Sequence, residues 1–203
     1  MSQTLKRFDR VLIANRGEIV TRVARSAHAM GLQTVAVYSN ADRLSPHLHS
    51  CNTALCIGGE HALDSYLAVP KLLQAAKDSG ANAVHPGYGF LSENAAFAQA
   101  VSDAGLVWIG PPPSAMRTMG DKAQARRHMQ DAGVPVLPGS VHASTDLSAL
   151  AAQALTLGFP LMVKASAGGG GRGMRLVLDE HGLPSALQSA FNEAQAAFGD
   201  GRL

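Results

Sequence analysis

Short, almost wholly apolar runs alternate along this chain with longer segments in which apolar residues recur every three or four positions. RVLIA, residues 10–14, reads as a short buried strand. The segment after it, GEIVTRVARSAHAMG, places Ile19, Val20, Val23, Ala24, Ala27 and Met30 on one helical face, with Gly31 as its stop. The alternation continues. TVAVYS and ALCIG read as strands, and VPKLLQAAKDSG as a helix with Pro70 in its first turn and Gly80 at its end. AVH is a further strand, SENAAFAQAVSDAG a helix opened by Ser92, and LVWIG the last strand of the series. Repeated strand–helix units with near-continuous apolar strands predict an α/β fold. Residues 1–110 are expected to form a Rossmann-like domain on a five-stranded parallel sheet.

Pro111, Pro112 and Pro113 end that pattern, since neither a sheet nor a helix interior tolerates three prolines. DKAQARRHMQDAG then reads as one helix, with Asp121 as N-cap and Gly133 as terminator. Residues 111–136 are therefore a Pro-rich tether and helix. From residue 137 to 203 a second unit follows: the helix TDLSALAAQALTLG closed by Gly158, the strand PLMVKA, a glycine run, the strand GMRLVL and the helix PSALQSAFNEAQAAFG. Two strands and two helices make a thin core, so the chain is expected to end before its architecture does.

Composition narrows the classes. At 203 residues with 46% hydrophobic and 16% charged residues, the chain has the makeup of a globular protein with a proper core. The net charge of +2, without a Lys/Arg tract or aromatic ladder, gives no footprint for nucleic acid. The start lacks the apolar region of a signal peptide, and no apolar run approaches the roughly 18 residues of a membrane span. Cys51 and Cys56 are the only cysteines, which excludes a disulfide scaffold; they are expected to be ordinary core thiols in a reducing cytoplasm. The eight histidines show no metalloprotease spacing.

The costliest stretch to order is KASAGGGGRGMR, residues 164–175. GGGGRG satisfies the dinucleotide pattern G-x-G-x-x-G, but a strand follows it where that motif needs a helix. It lacks the GK[ST] of a Walker loop, and Lys164 precedes it where a kinase lysine comes later. What survives is a strand–loop–strand flap. Bare backbone N–H groups can approach phosphate oxygens where no Cβ intervenes, and a lysine alongside adds mobile positive charge. The bland alternative is a ligand-free hairpin loop.

The motifs IANRGEI, HPGYGFLSEN, WIGPP, MGDKAQAR, AGVPVLPG and VKASAGGGGRGMR stand in this order. In that order they resemble the biotin carboxylases, the ATP-grasp subunits or domains of acyl-CoA carboxylases and of pyruvate carboxylase. The resemblance runs from Phe8 to the end of the chain. It implies a Rossmann-like domain followed by the small α+β lid of a truncated ATP-grasp fold. The implied activity is MgATP-dependent activation of bicarbonate and carboxylation of biotin on a carrier protein. ATP, Mg2+ (or Mn2+), biotin and bicarbonate are the implied cofactors and co-substrates. A biotin carboxyl carrier protein or domain, a carboxyltransferase subunit and a second copy of the complete chain are the implied partners.

Carried onto this sequence, the resemblance implies that Lys122 and Lys164 contact ATP. Gly168, Gly169, Gly170, Gly171, Arg172 and Gly173 would form the lid loop over the phosphates. Tyr88 and Glu93 would lie near the biotin and bicarbonate pocket, and Arg22 and Arg25 at a dimer interface. Each has a plainer reading: a solvated first-turn lysine, a strand-edge lysine, a tyrosine capping the core, arginines on a solvated helical face. Asn15, Arg16 and Glu18 close the first strand–helix turn, as ligand groups or simply as a satisfied polar turn. The family's metal ligands, bicarbonate-binding arginine and general base belong to a region after the lid, so no catalytic or metal residue is assigned here and this stretch alone is expected to be inactive. Two rivals stand beside this reading: an ATP-grasp ligase of another substrate class, and a non-catalytic nucleotide-binding fragment.

Overall fold

Burial on both faces is why the first strands read as unbroken apolar runs. The computed structural model describes residues 8–140, 142–166 and 173–203. They fall into two compact units, Met1–Met116 and Arg117–Leu203. In the first, β1 (Arg10–Ile13), β2 (Gln33–Tyr38), β3 (Thr53–Cys56), β4 (Ala83–His85) and β5 (Val107–Trp108) form one sheet of order β3-β2-β1-β4-β5, every pairing parallel. β1 is central, with Leu12 opposite Val35 on one side and Val84 on the other.

Because successive side chains point to opposite faces, the sheet feeds two cores. Val11, Ile13, Ala36 and Ala83 pack with Val20 and Ala24 of α1 (Glu18–Ala29). Leu12, Val35, Val37 and Val84 pack with Leu72, Ala75 and Ala76 of α2 (Val69–Ser79) and with Phe97 and Val101 of α3 (Ala95–Asp103). Helices therefore cover both faces. Trp108 meets Phe97 edge to face, their ring centroids 5.4 Å apart.

Several local readings need correction. Met30 is 74% exposed: it is the residue at which α1 ends, and Gly31 turns the chain away at φ 75°. Asn94, not Ser92, caps α3, its Oδ1 accepting the Phe97 amide at 2.9 Å; the Ser92 amide closes the preceding turn on the Gly89 carbonyl. Cys51 is half-buried, whereas Cys56 is no core thiol: it ends the edge strand, exposed, its Sγ donating to Asn40 Oδ1 at 3.3 Å. The prolines do more than stop the first pattern. Pro113 opens α4 (Pro113–Gly120), which its fixed φ and missing N–H suit at a first helical position.

In the second unit α5 (Lys122–Asp131) is capped by Asp121, whose Oδ1 accepts the Gln124 amide at 2.9 Å. α6 (Leu147–Leu157) begins at Asp146, whose Oδ1 accepts two amides, those of Ser148 and Ala149. β6 (Leu161–Val163) and β7 (Arg175–Val177) form an antiparallel pair, and α7 (Leu183–Phe198) follows. One face of the pair, with Val163 and Val177, packs on Leu150, Leu187, Ala190 and Ala194 of the two helices.

Candidate functional site

The strand order reverses between β1 and β4, and ligands of open parallel sheets bind outside the carboxyl ends of strands at such a point. Two turns meet there. From β1 the chain continues through Asn15 and Arg16 into α1; from β4 it continues through His85 to Phe90. Asn15 is 4% exposed. Its Nδ2 donates to the carbonyls of Pro86 and Tyr88, each at 2.8 Å, and its Oδ1 accepts the Arg16 amide at 2.9 Å. Gly87 lies so close that a Cβ on it would fall 2.7 Å from Asn15 Nδ2, and its φ of 67° further favours glycine. His85 is half-buried, and that burial lowers its imidazole from the usual range; its Nδ1 accepts the Gly87 amide at 2.9 Å.

Tyr88 leaves this turn 60% exposed, and its hydroxyl donates to Glu18 Oε1 at 2.6 Å. That bond to a carboxylate raises the phenol above the ordinary tyrosine range. Beside it, the Arg16 guanidinium sits 5.5 Å from the Tyr66 ring centroid and 5.6 Å from that of Phe90; the two rings stack at 5.2 Å. Arg16 also pairs with Asp42 at 3.1 Å. Asp42 Oδ2 accepts the Tyr66 hydroxyl at 2.7 Å and the Ser39 hydroxyl at 3.0 Å. Burial works to raise the Asp42 carboxyl, but the donors Tyr66, Arg16 and Ser39 outweigh it and hold the group below its ordinary range. Tyr66, buried and donating to Asp42, is pushed up to about 12.

The second unit carries a different arrangement. Opposite its packed face, the β6–β7 pair exposes Met162, Leu176 and Leu178, with Met174 and Lys164 at the same end. Gly173, at φ 68°, returns the chain to the pair, its carbonyl accepting the Ala165 amide at 3.1 Å. Lys122, the first residue of α5, donates to the Ser166 carbonyl at 3.1 Å. The helix start is thereby joined to the exit of β6, two residues beyond Lys164. A polar cavity of about 500 Å3 lies elsewhere in this unit, against Asp121, Arg127, His142 and Arg202.

The structure thus places Lys122 near the strand carrying Lys164. Gly168, Gly169, Gly170, Gly171 and Arg172 lie outside the described residues. Tyr88 pairs with Glu18 rather than with Glu93, which is exposed further along the same loop. Arg22 and Arg25 are both exposed on α1. The Arg16–Asp42–Tyr66–Phe90 cluster went unread in the sequence. Arg16 and Phe90 sit in visible motifs, IANRGEI and HPGYGFLSEN; Asp42 and Tyr66 come from short connecting segments without a signal of their own. Among the described residues no group of three or more His, Cys, Asp or Glu is arranged to hold a metal ion.

Comparison with known proteins bears on this geometry. The family model described as biotin carboxylase, N-terminal domain, matches residues 7–116, more than half of the chain. The chain belongs to the biotin carboxylase family. Residues 121–203 match a second model, described as the carbamoyl-phosphate synthase L chain ATP-binding domain. The chloroplastic biotin carboxylase of Arabidopsis thaliana is 49% identical over 95% of this chain, and the Nostoc sp. biotin carboxylase 48% identical over 96%. The chain spans 36% and 43% of those two relatives. Among solved structures, a biotin carboxylase–βγ-ATP complex from Campylobacter jejuni superposes with a TM-score of 0.91 at 44% identity, over 97% of this chain and 44% of that one. The biotin carboxylase domain dimer of Hydrogenobacter thermophilus 2-oxoglutarate carboxylase, with MgADP, ADP and bicarbonate, gives 0.89 at 42% identity, over 97% of this chain and 43% of that one. The fold is thus the α/β fold of biotin carboxylases: a parallel-sheet N-terminal domain followed by the first part of the ATP-grasp domain.

Proposed function

We propose that this chain serves MgATP- and bicarbonate-dependent carboxylation of biotin on a carrier protein, supplying the nucleotide lid and part of the biotin pocket. In that reaction bicarbonate attacks the γ-phosphorus, ADP leaves, and the carboxyphosphate breaks down to CO2 and phosphate; biotin N1′ bonds to the CO2 and its proton passes to the phosphate. The observation that carries the reading is the outer face of β6–β7. An apolar surface of Met162, Met174, Leu176 and Leu178 beside an exposed Lys164 is costly to leave in water, and it suits a flat base with phosphates at one end. Lys122 approaches the same strand exit through Ser166 and would add a second cation for the phosphates. The loop from Gly168 to Gly173, with Arg172, would supply backbone donors over them. Tyr88, paired with Glu18, would face biotin and bicarbonate, with Glu93 nearby. The described residues do not fit a magnesium site, so no step is routed through the metal.

A carrier protein, a carboxyltransferase and a second copy of the complete chain are the partners this reading implies, with Arg22 and Arg25 of α1 at the contact between copies. The relatives include methylcrotonoyl-CoA and propionyl-CoA carboxylase subunits. Subunits named for such different acceptors match this stretch at 45% and 43% identity, so the match does not name an acceptor for this chain. No helix among the described residues is long and apolar enough to cross a membrane. A cytoplasmic location fits the two free thiols.

The test is Lys164→Met, with ATP binding followed by calorimetry in a full-length enzyme containing this stretch. A charge-assisted contact worth about 1.5–3 kcal/mol predicts affinity lower by roughly ten- to a hundredfold. Unchanged affinity together with unchanged turnover would return Lys164 to the solvated surface.

A further inference from the structure

We infer that Asn15 and Arg16 are positioning residues for Tyr88: two consecutive side chains from the end of β1 grip the loop after β4 on either side of that tyrosine and deliver its hydroxyl to Glu18. The inference deepens the site proposed above and rests on it only for the ligand that Tyr88 faces.

The first grip is Asn15. A primary amide has two N–H donors, and both go to one loop, to the carbonyls of Pro86 and Tyr88. Its oxygen takes the Arg16 amide, so all three of these bonds serve the two turns. Aspartate has the shape but no donor, and glutamine is one methylene too long for the same fit. Gly87 packs directly on the amide, with no room for a Cβ.

The second grip is Arg16. Phe90 is the only non-glycine among the described residues with positive φ, at 41°, a conformation that neighbouring structure must impose. Its ring is stacked on Tyr66 with 6° between the planes, and the Arg16 guanidinium lies against both rings while paired with Asp42. Between the two grips stands Tyr88, whose side chain adds little to the core because it is 60% exposed. Its hydroxyl reaches the third residue after Asn15 on the same turn, Glu18, at 2.6 Å. A turn that only closed the fold would have no need to fix an exposed phenol so firmly.

The test reads Tyr88 directly. With tyrosine labelled at Cζ, NMR titration of the 203-residue chain gives each phenol its own curve, and Tyr88→Phe identifies which belongs to Tyr88. The wild-type Tyr88 curve should lie above the ordinary range, because the hydroxyl donates to Glu18 Oε1 at 2.6 Å. Asn15→Ala and Arg16→Lys should each return it toward that range. Arg16→Lys keeps the charge and loses the planar stacking, and it decides the matter if Asn15→Ala does not fold. A Tyr88 curve unmoved in a folded Arg16→Lys variant would overturn the inference.

The same substitutions in a full-length enzyme containing this stretch should raise KM for biotin about tenfold, the equivalent of one lost hydrogen bond, with KM for ATP unchanged. A parallel rise in both constants would mark a merely structural role and also overturn it. If the curves move as expected but Tyr88→Phe leaves KM for biotin unaltered, the positioning stands and the assignment of the biotin pocket falls.

Discussion

Asp42→Asn tests the cluster beneath the site in one atom. The side chain keeps its shape, but the acceptor for Tyr66 and Ser39 loses its charge, and Arg16 loses its ion pair. A hydrogen bond to a charged group is worth about 1.5–3 kcal/mol and one to a neutral group about 0.5–1.5, so each hydroxyl forfeits about 1 kcal/mol. The Arg16 side chain is 48% exposed, which limits its pair to about 0–1 kcal/mol. The sum is about 2–3 kcal/mol, a large share of a stability on the order of 5–15 kcal/mol. Trp108 is the only tryptophan and packs on Phe97 inside the first unit, so its fluorescence in urea follows that unit alone. The sign with pH follows from the depressed carboxyl. Its contribution is full above the unfolded-state value of about 3.9 and disappears as pH falls through the lower folded value. The gap between wild type and Asp42→Asn should therefore stay constant from pH 7 to about pH 5 and close below about pH 4. Tyr66, relieved of its anionic partner, should titrate below its present value of about 12 while burial still keeps it raised. A gap that persists undiminished in acid would refute the assignment of the charge to Asp42.

Gly173→Ala should destabilise the second unit by about 1–2 kcal/mol, the cost of a left-handed non-glycine residue; its Cβ would also stand 2.9 Å from that of Ala165. Faster amide exchange across β6 and β7, with nucleotide affinity falling in step, is the expected readout. His47 and His85 have their imidazoles depressed by burial, so the first unit should lose stability as pH falls below the unfolded value of about 6.5. His47→Asn should make the Trp108 urea midpoint less sensitive to pH in that range, and an identical pH dependence in the variant would contradict it.

The parallel sheet was readable because its inner strands β1, β2 and β4 are buried on both faces and so must be largely apolar; Leu12 and Ile13 serve opposite cores and both had to be hydrophobic. The helix stops at Gly31, Gly80 and Gly133 were readable for a different reason, since each needs positive φ. α4 was hidden because Pro113 reads equally as the end of one element and the first residue of the next. Asn94 was hidden by Ser92, an equally good cap two residues earlier; only the course of the loop through Gly89 decides between them. Asp42 and Tyr66 could not be found by spacing, because the cluster gathers residues 16, 42, 66 and 90 from four separate connections.

Two of the six motifs that stood out in the sequence, IANRGEI and HPGYGFLSEN, turn out to constrain each other. Asn15 needs carbonyls at Pro86 and Tyr88, and those carbonyls need a donor that only a short amide provides. Gly87 must lack a side chain because Asn15 occupies its space, and Phe90 holds its unusual φ against the rings and guanidinium that Arg16 brings together. Glu18, in turn, receives the hydroxyl that this loop presents. Residue types so restricted within each turn make it recognisable as a motif, yet the restriction comes from the other turn, some seventy positions away. That is why each motif could be recognised in the sequence while the reason for its residues could not. A change on one side should therefore be corrected only by a change on the other: in the Asn15→Ala background, no substitution within residues 16–18 restores the donors that Pro86 and Tyr88 lose, because none of those side chains occupies the buried position beneath Gly87.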